Sequence, residues 1–529
     1  MLHKLSLYYH TIKHLRWIQI RYQLWYRLRS KWRILTKFHY NFELTPLVFH
    51  WVKMEPSIDN YISYLGNNKF RFLNIEVDFG EKVIWDYLEG GKLWTYNLNY
   101  FEFLNQGDSK IFVGDFNRLI KNYIAQLPYL KTGNDPFPTS LRIINWIKYF
   151  IKHELKDHEV LKSLYSQCYI LKENKECHLL GNHLLENGFA LTISGLFFQD
   201  KELFNDGKKI LLDQLNEQIL NDGAHFELSP MYHSLMLYRL FDVINMIQSN
   251  LPEINKTFLN QDIFLFFLKH KASLMCSWLE NMIFSYDSFP LFNDSTNQIA
   301  PSPFSLLDYA KKLSISSNAV KLFESGYRRL KNEAFDIIIK AGNIGPDYIP
   351  GHAHADSLSF VCNISEVPLI VDPGITTYEK NENRHFERST INHNTVSVGN
   401  QNSSMIWNGF RVAKRAKTTI LSCSSDSIEA YHNGYKVLHK RSLTLKNKAL
   451  QIIDNLTKQN AEAHFHFHPD LAVKVIDNKA FIQNKKVSFV NAKSVEIFNY
   501  RYSTGFNNSL TGKKITVKFY DYLITTIEI

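Results

Sequence analysis

Two imidazoles and a carboxylate lie within five residues of each other in residues 351–360, as His352, His354 and Asp356. Side chains of these types can transfer protons or bind a metal ion. Residues 357–370 form a largely apolar run that predicts β structure, in which alternate side chains point to the same face. The spacing therefore predicts that the three side chains share one face of the leading strand or turn, and hence one site.

Two residues further along the chain could complete a metal site. Asp372 lies in a Val-Asp-Pro-Gly segment, and His393 lies in an Ile-Asn-His-Asn-Thr segment. With His354 they supply two imidazoles and one carboxylate, which is an ordinary ligand mix for zinc. Asp-Pro-Gly is also a common turn, and a histidine on the surface does not destabilise a protein. The residues alone therefore leave two interpretations open, a metal site or an ordinary turn with surface histidines.

The N-terminal half contains two more groups of chemically capable residues. Asn182, His183 and Glu186 lie within about one turn of a predicted helix start, where Asn182 would serve equally well as a helix cap. Glu227 and Tyr232 lie just before and inside a later predicted helix. Both groups suit acid–base chemistry, and both suit internal hydrogen bonds in a helical core.

Arg142, Asn145 and Trp146 share a helix face at i, i+3 spacing. A guanidinium there would suit a sugar carboxylate or an internal hydrogen bond equally well. The three alternating histidines of residues 463–469 resemble a metal cluster. Alternation on a sandwich strand produces that pattern without a metal, so we interpret them as structural.

Helical periodicity dominates the middle of the chain, after one or two strands predicted within residues 70–79. Successive helices of similar length predict hairpins that close into an (α/α) toroid, or else a solenoid, and no sequence repeat favours the solenoid. Apolar residues recur at helical spacing in seven segments: 113–130, 138–154, 158–173, 182–199, 201–219, 230–249 and 262–281.

After about residue 334 the segments become short, β-branched and alternating, with Asn and Gly between them. This pattern is typical of an antiparallel β-sandwich. A chain of 529 residues with 45% hydrophobic residues is long enough for more than one large core. We therefore predict three parts: an N-terminal arm (1–40), a helical toroid domain (41–333) and a β-sandwich domain (334–529).

The formal charge of +10 favours an acidic partner, namely an acidic polysaccharide, an anionic membrane surface or nucleic acid. No RNA-binding motif, zinc-finger spacing or lysine-rich tail is present, so nucleic acid is the least favoured and we predict no nucleic-acid binding. The five cysteines are scattered without a Cys-x-x-Cys pair. They predict neither a disulfide framework nor a cysteine zinc site, and a reduced compartment fits best.

Residues 1–40 contain nine Lys and Arg residues and no Asp or Glu, interleaved with Trp17, Trp25 and Trp32. This pattern predicts a basic amphipathic helix. It would either dock on an anionic membrane face or pack on its own domain with a solvated basic face. No secretory signal pattern and no run of eighteen apolar residues is present. We therefore predict a cytoplasmic protein, peripheral to the inner membrane face at most.

Together these motifs resemble those of the heparinase II/III family of polysaccharide lyases. The resemblance covers about residues 94–468 and depends on the order and spacing of six motifs. These are Arg142 with Asn145-Trp146, Asn182-His-Leu-Leu-Glu-Asn-Gly, Glu227-Leu-Ser-Pro-Met-Tyr-His, Gly351-His-Ala-His-Ala-Asp, Asp372-Pro-Gly, and Phe386-Glu-Arg-Ser-Thr with His393-Asn-Thr.

The resemblance implies a helical toroid joined to a C-terminal β-sandwich, and it implies the role of each site residue. Asn182 and His183 would face a uronate carboxylate, Tyr232 would deliver or remove a proton, and His352 would be its acid/base partner. Substrate contacts are implied for Arg142, Asn145, Trp146, Glu227, Tyr378 and Arg388. A structural zinc ion is implied at His354, Asp372 and His393.

We therefore predict a polysaccharide lyase that cleaves a uronate-containing acidic polysaccharide by β-elimination without an organic cofactor, in surface-polysaccharide assembly. Tyr232 could act as the base if nearby cations such as Arg142 lowered its pKa. Two alternatives stay open. One is a glycoside hydrolase that uses Glu186 or Glu227 with Asp222, and the other is a non-catalytic glycan-binding protein on the same fold.

Overall fold

The computed structural model describes residues 2–46, 52–258 and 261–529. The other residues belong to the predicted arm and helical domain, and they lie outside the described residues, as do the side chains of residues 2–4. The helices are α1 (Leu2–Ile12), α2 (Trp17–Leu35), α3 (Lys92–Tyr100), α4 (Val113–Gln126), α5 (Pro136–His153), α6 (His158–Glu173), α7 (Gly181–Phe197), α8 (Lys201–Gln218), α9 (Pro230–Ser249), α10 (Leu251–Phe258), α11 (Gln261–Met282), α12 (Pro303–Lys312) and α13 (Glu382–Glu387).

The strands form one short hairpin near the N-terminus and a long series after the helices. They are β1 (Lys69–Phe72), β2 (Ile75–Asp78), β3 (Tyr327–Lys331), β4 (Phe335–Lys340), β5 (Phe360–Ile364), β6 (Val367–Ile370), β7 (Val396–Ser397), β8 (Ile406–Trp407), β9 (Arg411–Val412), β10 (Thr418–Cys423), β11 (Ser427–His432), β12 (His439–Lys446), β13 (Ala449–His466), β14 (Val473–Ile476), β15 (Lys479–Ile482), β16 (Lys485–Gly505) and β17 (Asn508–Glu528).

The seven predicted helices are confirmed as α4 to α9 and α11. Their ends agree with the prediction within two residues, except that α4 ends at Gln126 and a 3₁₀ turn continues it. Local capping fixes several of these boundaries. The Asp200 side chain accepts hydrogen bonds from two backbone N–H groups at the start of α8, and Ser229 caps α9, which has Pro230 in its first turn.

The long helices pack in succession around one large core. Helix α7 contacts α5, α8 and α9, and α9 also contacts α11. Almost every side chain of α7 is buried, and so are residues 138–150 of α5. A polar residue on either helix must therefore find a partner inside the protein or at a site. Closure of the helices into a complete toroid stays a prediction.

The C-terminal part consists mainly of two antiparallel sheets with a shared core. The smaller sheet has the order β3-β4-β5-β6, and the larger has the order β10-β11-β12-β13-β17-β16-β15-β14, with β7 beside β13. Residues of both sheets, such as Ile337 and Phe465, belong to one buried apolar cluster. The sheet region begins with β3 at Tyr327, a few residues before the predicted boundary at 334.

The predicted N-terminal arm forms two helices that pack on the rest of the chain. Gln19 donates a hydrogen bond to the carbonyl of Leu179 at 3.1 Å, and Arg16 forms an ion pair with Glu217 at 2.5 Å. One face of the arm therefore packs on the rest of the protein, which agrees with the interpretation that the arm packs on its own domain. Among the described residues, no helix combines the length and the apolar character that crossing a bilayer requires.

Candidate active site

Asp294 lies in the turn between α11 and α12 and binds three side chains from the C-terminal part. Its two carboxylate oxygens accept hydrogen bonds from His352 Nδ1 and His354 Nε2, both at 2.8 Å. Arg384 donates to the same two oxygens, at 2.5 and 2.7 Å. Burial alone would raise the pKa of Asp294, but Arg384 and the imidazole N–H groups hold it well below its usual range. A buried carboxylate thus fixes both histidines.

Tyr232, in the first turn of α9, lies against His352. The two rings stack with their centroids 3.9 Å apart and an interplanar angle of 28°. The Tyr232 hydroxyl is 3.1 Å from the hydroxyl of Tyr378. All three side chains are partly exposed, so this group of a phenol, an imidazole and a second phenol is accessible to a ligand.

Asn182 and Glu227 complete the group from the helical side. One Glu227 oxygen accepts a hydrogen bond from the Asn182 backbone N–H at 3.2 Å, and the other lies 3.4 Å from His352 Nε2. The side-chain oxygen of Asn182 is buried and has no hydrogen-bond partner among the described residues. The side chain of Asn182 is therefore available to a polar ligand.

His183 follows Asn182 and is oriented by a second carboxylate. Its Nδ1 lies 3.0 Å from an oxygen of Glu176, and its ring packs on that of Phe137. Burial opposes the charged ring, but the Glu176 carboxylate outweighs it and raises the pKa of His183. With about a third of its side chain exposed, His183 can present a cationic N–H to an anionic ligand.

The backbone is strained where it delivers these side chains. Leu180, Leu228 and Leu358 have φ angles of +63°, +58° and +60°, in the left-handed region that costs a non-glycine residue about 1 kcal/mol or more. Leu180 immediately precedes helix α7, Leu228 lies two residues before α9, and Leu358 follows the histidine loop. Such strain persists only where the surrounding structure holds it, and it is common around functional sites.

Tyr232 is a neutral phenol in this arrangement. Burial raises its pKa, and the neighbouring carboxylates of Asp294 and Glu227 raise it further. The expectation that Arg142 lowers this pKa is wrong, because Arg142 is bound elsewhere in the helical core. Tyr232 is therefore prepared to give a proton rather than to take one.

Two domain models account for most of the chain. The model "Heparinase II/III N-terminus" matches residues 144–314, and the model "Heparinase II/III-like, C-terminal" matches residues 315–520. The chain belongs to the heparinase II/III-like family. Apart from Phe137, all the residues of the candidate site described so far lie within these two matches.

Two curated relatives of this heparinase II/III-like chain are heparin-sulfate lyases. That of Bacteroides thetaiotaomicron is 24% identical over 332 residues, or 53% of this chain and 45% of the relative. That of Bacteroides stercoris is 26% identical over 252 residues, or 42% of this chain and 36% of the relative. The matched region thus spans less than half of either relative's length.

Solved structures support the fold over a greater length. A heparinase III structure superposes with a TM-score of 0.67 at 17% identity, over 84% of this chain and 79% of that one. The heparan sulfate lyase HepC of Pedobacter heparinus gives a TM-score of 0.56 at 16% identity, over 87% and 81%. The order of a helical part followed by a β part is therefore shared with these proteins.

Three residues predicted to contact substrate are structural in this heparinase II/III-like chain. Arg142 is fully buried and donates to Gln167, Thr139 and the carbonyls of Gly133 and Asn99. Asn145 bonds to backbone carbonyls within the core, and the Trp146 ring is fully buried. The prediction was wrong because α5 is buried on nearly all sides: Arg142 and Asn145 pair internally, and the Trp146 ring is enclosed in the core with its N–H unpaired among the described residues.

Arg388 also has a structural role rather than the predicted contact with substrate. It is buried, and it donates to the carbonyl of Ala353 at 2.9 and 3.1 Å and to that of Gly409 at 2.7 Å. Ala353 separates the two histidines bound to Asp294, so Arg388 supports their loop. Glu227 and Tyr378, in contrast, lie beside His352 and Tyr232, while their roles toward a substrate stay predictions.

The three predicted zinc ligands lie side by side in a hydrogen-bonded chain. His354 Nδ1 is 3.2 Å from His393 Nε2, and His393 Nδ1 is 2.9 Å from Asp372. Burial opposes a charge on His393, but Asp372 raises its pKa, so a cationic His393 can donate in both directions. His354 and Asp372 face opposite nitrogens of one ring and do not converge on one point.

Correspondingly, no group of three or more His, Cys, Asp or Glu side chains within the described ranges could hold a metal ion. We derive no step through zinc, which stays a prediction. The nearby histidines His464 and His466 bond to Ser397 and Asn394 in the β core, which agrees with the structural interpretation of that strand.

The carboxylates of the hydrolase alternative do not form a pair across a cleft. Both oxygens of the buried Asp222 serve the chain itself, accepting hydrogen bonds from Phe323, Ser325 and Ala224. Glu186 is buried 3.7 Å from Arg239. Asp222 is therefore a structural residue and not a candidate acid or base.

Two residues of the site were missed by the sequence analysis. Asp294 and Arg384 form its central ion pair, but Asp294 lies in a turn and Arg384 in the six-residue helix α13, which is too short to show a periodic signal. The polar run from Asn293 to Thr296 after Phe292 was the available signal, since all four of these polar side chains prove to be buried. Their role becomes visible only when the turn meets the histidine loop in space.

Proposed function

We propose that the protein is a polysaccharide lyase that cleaves a uronate-containing acidic polysaccharide by β-elimination. The observation that carries the proposal is the stacked Tyr232–His352 pair, with His352 fixed by Asp294 and Tyr232 beside Tyr378. Two proton-transfer groups in van der Waals contact suit a reaction in which one proton leaves a carbon and another reaches a neighbouring oxygen.

The first requirement of this chemistry is to neutralise the uronate carboxylate. Removing the proton on C5 places more negative charge next to an anion, so donors at the carboxylate stabilise the enolate-like transition state. The side-chain oxygen of Asn182 has no partner within the described part of the chain, and the NH₂ of the same side chain is the group that would donate to the uronate. His183 has a raised pKa and partial exposure. These two neighbours are placed to be the carboxylate donors.

The second requirement is a base for the C5 proton. A carboxylate can only accept hydrogen bonds, so the contact with Asp294 puts a proton on Nδ1 of His352. Nε2 lies 3.4 Å from a Glu227 oxygen, and burial raises the pKa of that carboxyl, so a protonated Glu227 leaves Nε2 its lone pair. We assign His352 Nε2 as the group that takes the C5 proton, as in other carboxylate–histidine pairs.

The third requirement is an acid for the leaving group. As the C5–H bond breaks, its electrons form the C4=C5 double bond and the C4–O4 bond breaks. The Tyr232 phenol, with its raised pKa, gives its proton to O4. Tyr378 is 3.1 Å from the Tyr232 hydroxyl, so it can stabilise the phenolate until a proton returns. No water enters the reaction, which distinguishes it from hydrolysis.

Incubating the purified protein with a panel of acidic polysaccharides tests the proposal. An unsaturated uronate product absorbs in the ultraviolet, whereas a hydrolase or a binding protein produces no such signal. Tyr232→Phe removes the proton donor and should lower the rate by about 10²- to 10⁴-fold while leaving binding intact. Tyr129→Phe is a matched control, because Tyr129 is an 83% exposed phenol that is not one of the site residues.

An equal rate in Tyr232→Phe and the native protein would contradict the assignment, and ultraviolet-silent cleavage would favour the hydrolase. Metal analysis of the purified protein tests the zinc prediction separately. One zinc per chain would support it, and none would leave the protonated His393 chain as the arrangement in solution.

The wider setting is also part of the proposal. The succession of packed helices α5 to α9 and α11 supports a toroid, and the two sheets with one core support a β-sandwich. A cytoplasmic location and a role in surface-polysaccharide assembly stay predictions. The named relatives act on heparin sulfate, and the identity of the acidic glycan here is what the panel would determine.

A further inference from the structure

The second arm helix, α2, exposes a row of large apolar side chains on the side away from the protein. The exposed fractions are 74% for Trp17, 53% for Leu24, 64% for Leu28 and 82% for Leu35. Their spacing of seven, four and seven residues places them on one face of the helix. Trp25 and Trp32 lie beside this row and are 53% and 58% exposed. We call these six residues the apolar face.

The opposite face of α2 is fixed to the protein. Gln19 and Tyr26 donate to the carbonyls of Leu179 and Lys175, while Arg29 and Arg33 bond to Glu173 and Asn174. These four residues are separated by seven, three and four positions along the sequence, which places them about half a turn around the helix from the apolar face. The helix therefore cannot bury its apolar face by rolling over, and the large side chains need another partner.

The charges around the apolar face are all of one sign. Arg21, Arg27 and Lys31 are exposed on and beside it, and none forms an ion pair within the described residues. The first 40 residues contain no Asp or Glu. A second copy of this chain would bring like charges together, so self-association is disfavoured. The partner that complements this surface has an apolar interior and a negatively charged surface.

We propose that the apolar face of α2 docks on the surface of an anionic lipid bilayer. Indole rings favour the interfacial layer, where their apolar body and polar N–H are both accommodated. Long Arg and Lys side chains can lie along the apolar surface and place their charge at lipid phosphates. The helix would lie in the plane of the interface rather than cross it.

The same helix also connects this surface to the candidate active site. Residues 175–179, which α2 contacts, include Glu176, whose carboxylate orients His183. Arg16 pairs with Glu217 and stacks on Tyr348, four residues before His352. A bilayer bound at α2 would thus hold the site at a fixed distance from the lipid. The docking itself does not depend on the proposed lyase activity.

Vesicle sedimentation of the full chain tests the proposal. We expect binding to vesicles of phosphatidylcholine with about a third phosphatidylglycerol, and binding that is weaker by about tenfold or more on pure phosphatidylcholine or in high salt. Two variants, Trp17→Ala/Trp25→Ala/Trp32→Ala and Arg21→Gln/Arg27→Gln/Lys31→Gln, should each lose about tenfold or more in partitioning. Fluorescence of the native arm tryptophans should be quenched by brominated lipid.

A matched control is Ile111→Ala/Tyr129→Ala/Phe266→Ala, which removes three apolar side chains of comparable exposure elsewhere on the surface. This control should bind vesicles like the native chain, and all variants should keep the native melting temperature. Failure to bind anionic vesicles would overturn the proposal, as would equal binding by the tryptophan variant. Concentration-dependent dimers that the tryptophan variant abolishes, without vesicle binding, would assign the face to a second copy instead.

Discussion

The two sides of the candidate site differ in how fully their polar groups are bonded. On the sheet side, His352, His354 and Arg384 bind Asp294 from the turn after α11, and every buried polar atom of this cluster has a partner. Outside the cluster, Asp356 and Glu387 each keep one buried oxygen without a partner among the described residues. On the helical side, buried side-chain atoms of Asn182, Glu186, Glu227 and Arg239 have no hydrogen-bond partner in the described part of the chain.

This difference indicates a division of labour. A fully bonded cluster keeps its geometry without a ligand, and such preorganisation is what a catalytic acid–base pair needs. Unpaired buried groups are costly, about 1–3 kcal/mol each, and are rare unless a ligand or water satisfies them. The sheet side thus supplies a fixed acid–base group, and the helical side supplies unfilled hydrogen-bonding capacity for a polar ligand.

The largest effect is expected from breaking the sheet side at its centre. Asp294→Ala leaves the buried Arg384 and His354, and the partly exposed His352, without their acceptor, which should lower the free energy of unfolding by about 3–5 kcal/mol. It should also abolish turnover, because His352 loses its orientation. Denaturant titration and the ultraviolet assay measure the two effects. The control Asp470→Ala removes an 81% exposed carboxylate and should change neither.

A stable and active Asp294→Ala protein would remove the basis for calling the sheet side preorganised. A stable protein with altered turnover would instead limit Asp294 to positioning His352, without a large role in the fold.

The next largest effect concerns the helical side. Asn182→Ala should lower kcat/KM by about 10²-fold, the size expected for one lost transition-state donor. Its melting temperature should stay close to native, because the side-chain oxygen has no partner among the described residues. Asn187→Ala, on the same helix, is the contrasting variant. Asn187 bonds to Ser140 and Glu176, so its loss should destabilise the protein.

Equal destabilisation by the two asparagine variants would show that Asn182 is a structural residue like Asn187. Asn182 would then no longer count as an unpaired group that distinguishes the helical side from the sheet side.

Much of the fold could be predicted from the sequence, because periodicity reports which side of an element is buried. The seven helices follow from that rule, and their ends were located within a few residues. The alternating pattern predicted the strands as a class, but it predicted short ones, whereas β13, β16 and β17 are 18, 21 and 21 residues long. The order of motifs also placed Tyr232 and His352 in one site, and their rings are in contact. Here local pattern and tertiary position agree.

The partners of polar residues could not be predicted in the same way. Arg142 has the residue type and helix position of a carboxylate ligand, yet its helix is buried all around and its donors are used internally. Asp294 has only the short polar run of residues 293–296 as a local signal, and its importance arises from three residues at least 58 positions away in the chain. Such pairings are set by packing rather than by local sequence.

Arg142 provides a smaller effect that sharpens this distinction. Arg142→Gln would leave several buried carbonyls without a donor, so we expect a loss of about 1–3 kcal/mol in the free energy of unfolding. The KM for any substrate should be unchanged, because the guanidinium does not reach the site. A raised KM with native stability would restore the original substrate-binding prediction for this residue.

The smallest effect is a pH dependence on the helical side. Burial raises the pKa of Glu186 to about 7, above the value of about 4.3 in an unfolded chain. Between these values the folded protein keeps a proton that the unfolded chain has lost, so rising pH lowers the free energy of unfolding. Glu186→Gln cannot ionise, so it should become more stable relative to native across this window, by about 1–2 kcal/mol.

Denaturant titrations from about pH 5 to about pH 8 would measure this difference, with Glu366→Gln as a control at an exposed position. The direction of the slope decides between two states of the helical side. A relative gain that grows with pH means that Glu186 is a strained, incompletely paired group. A difference that is flat or favours the native protein means that Arg239, 3.7 Å away, already satisfies the carboxylate. In that case the helical side is bonded like the sheet side, and the contrast between them reduces to Asn182 and Glu227.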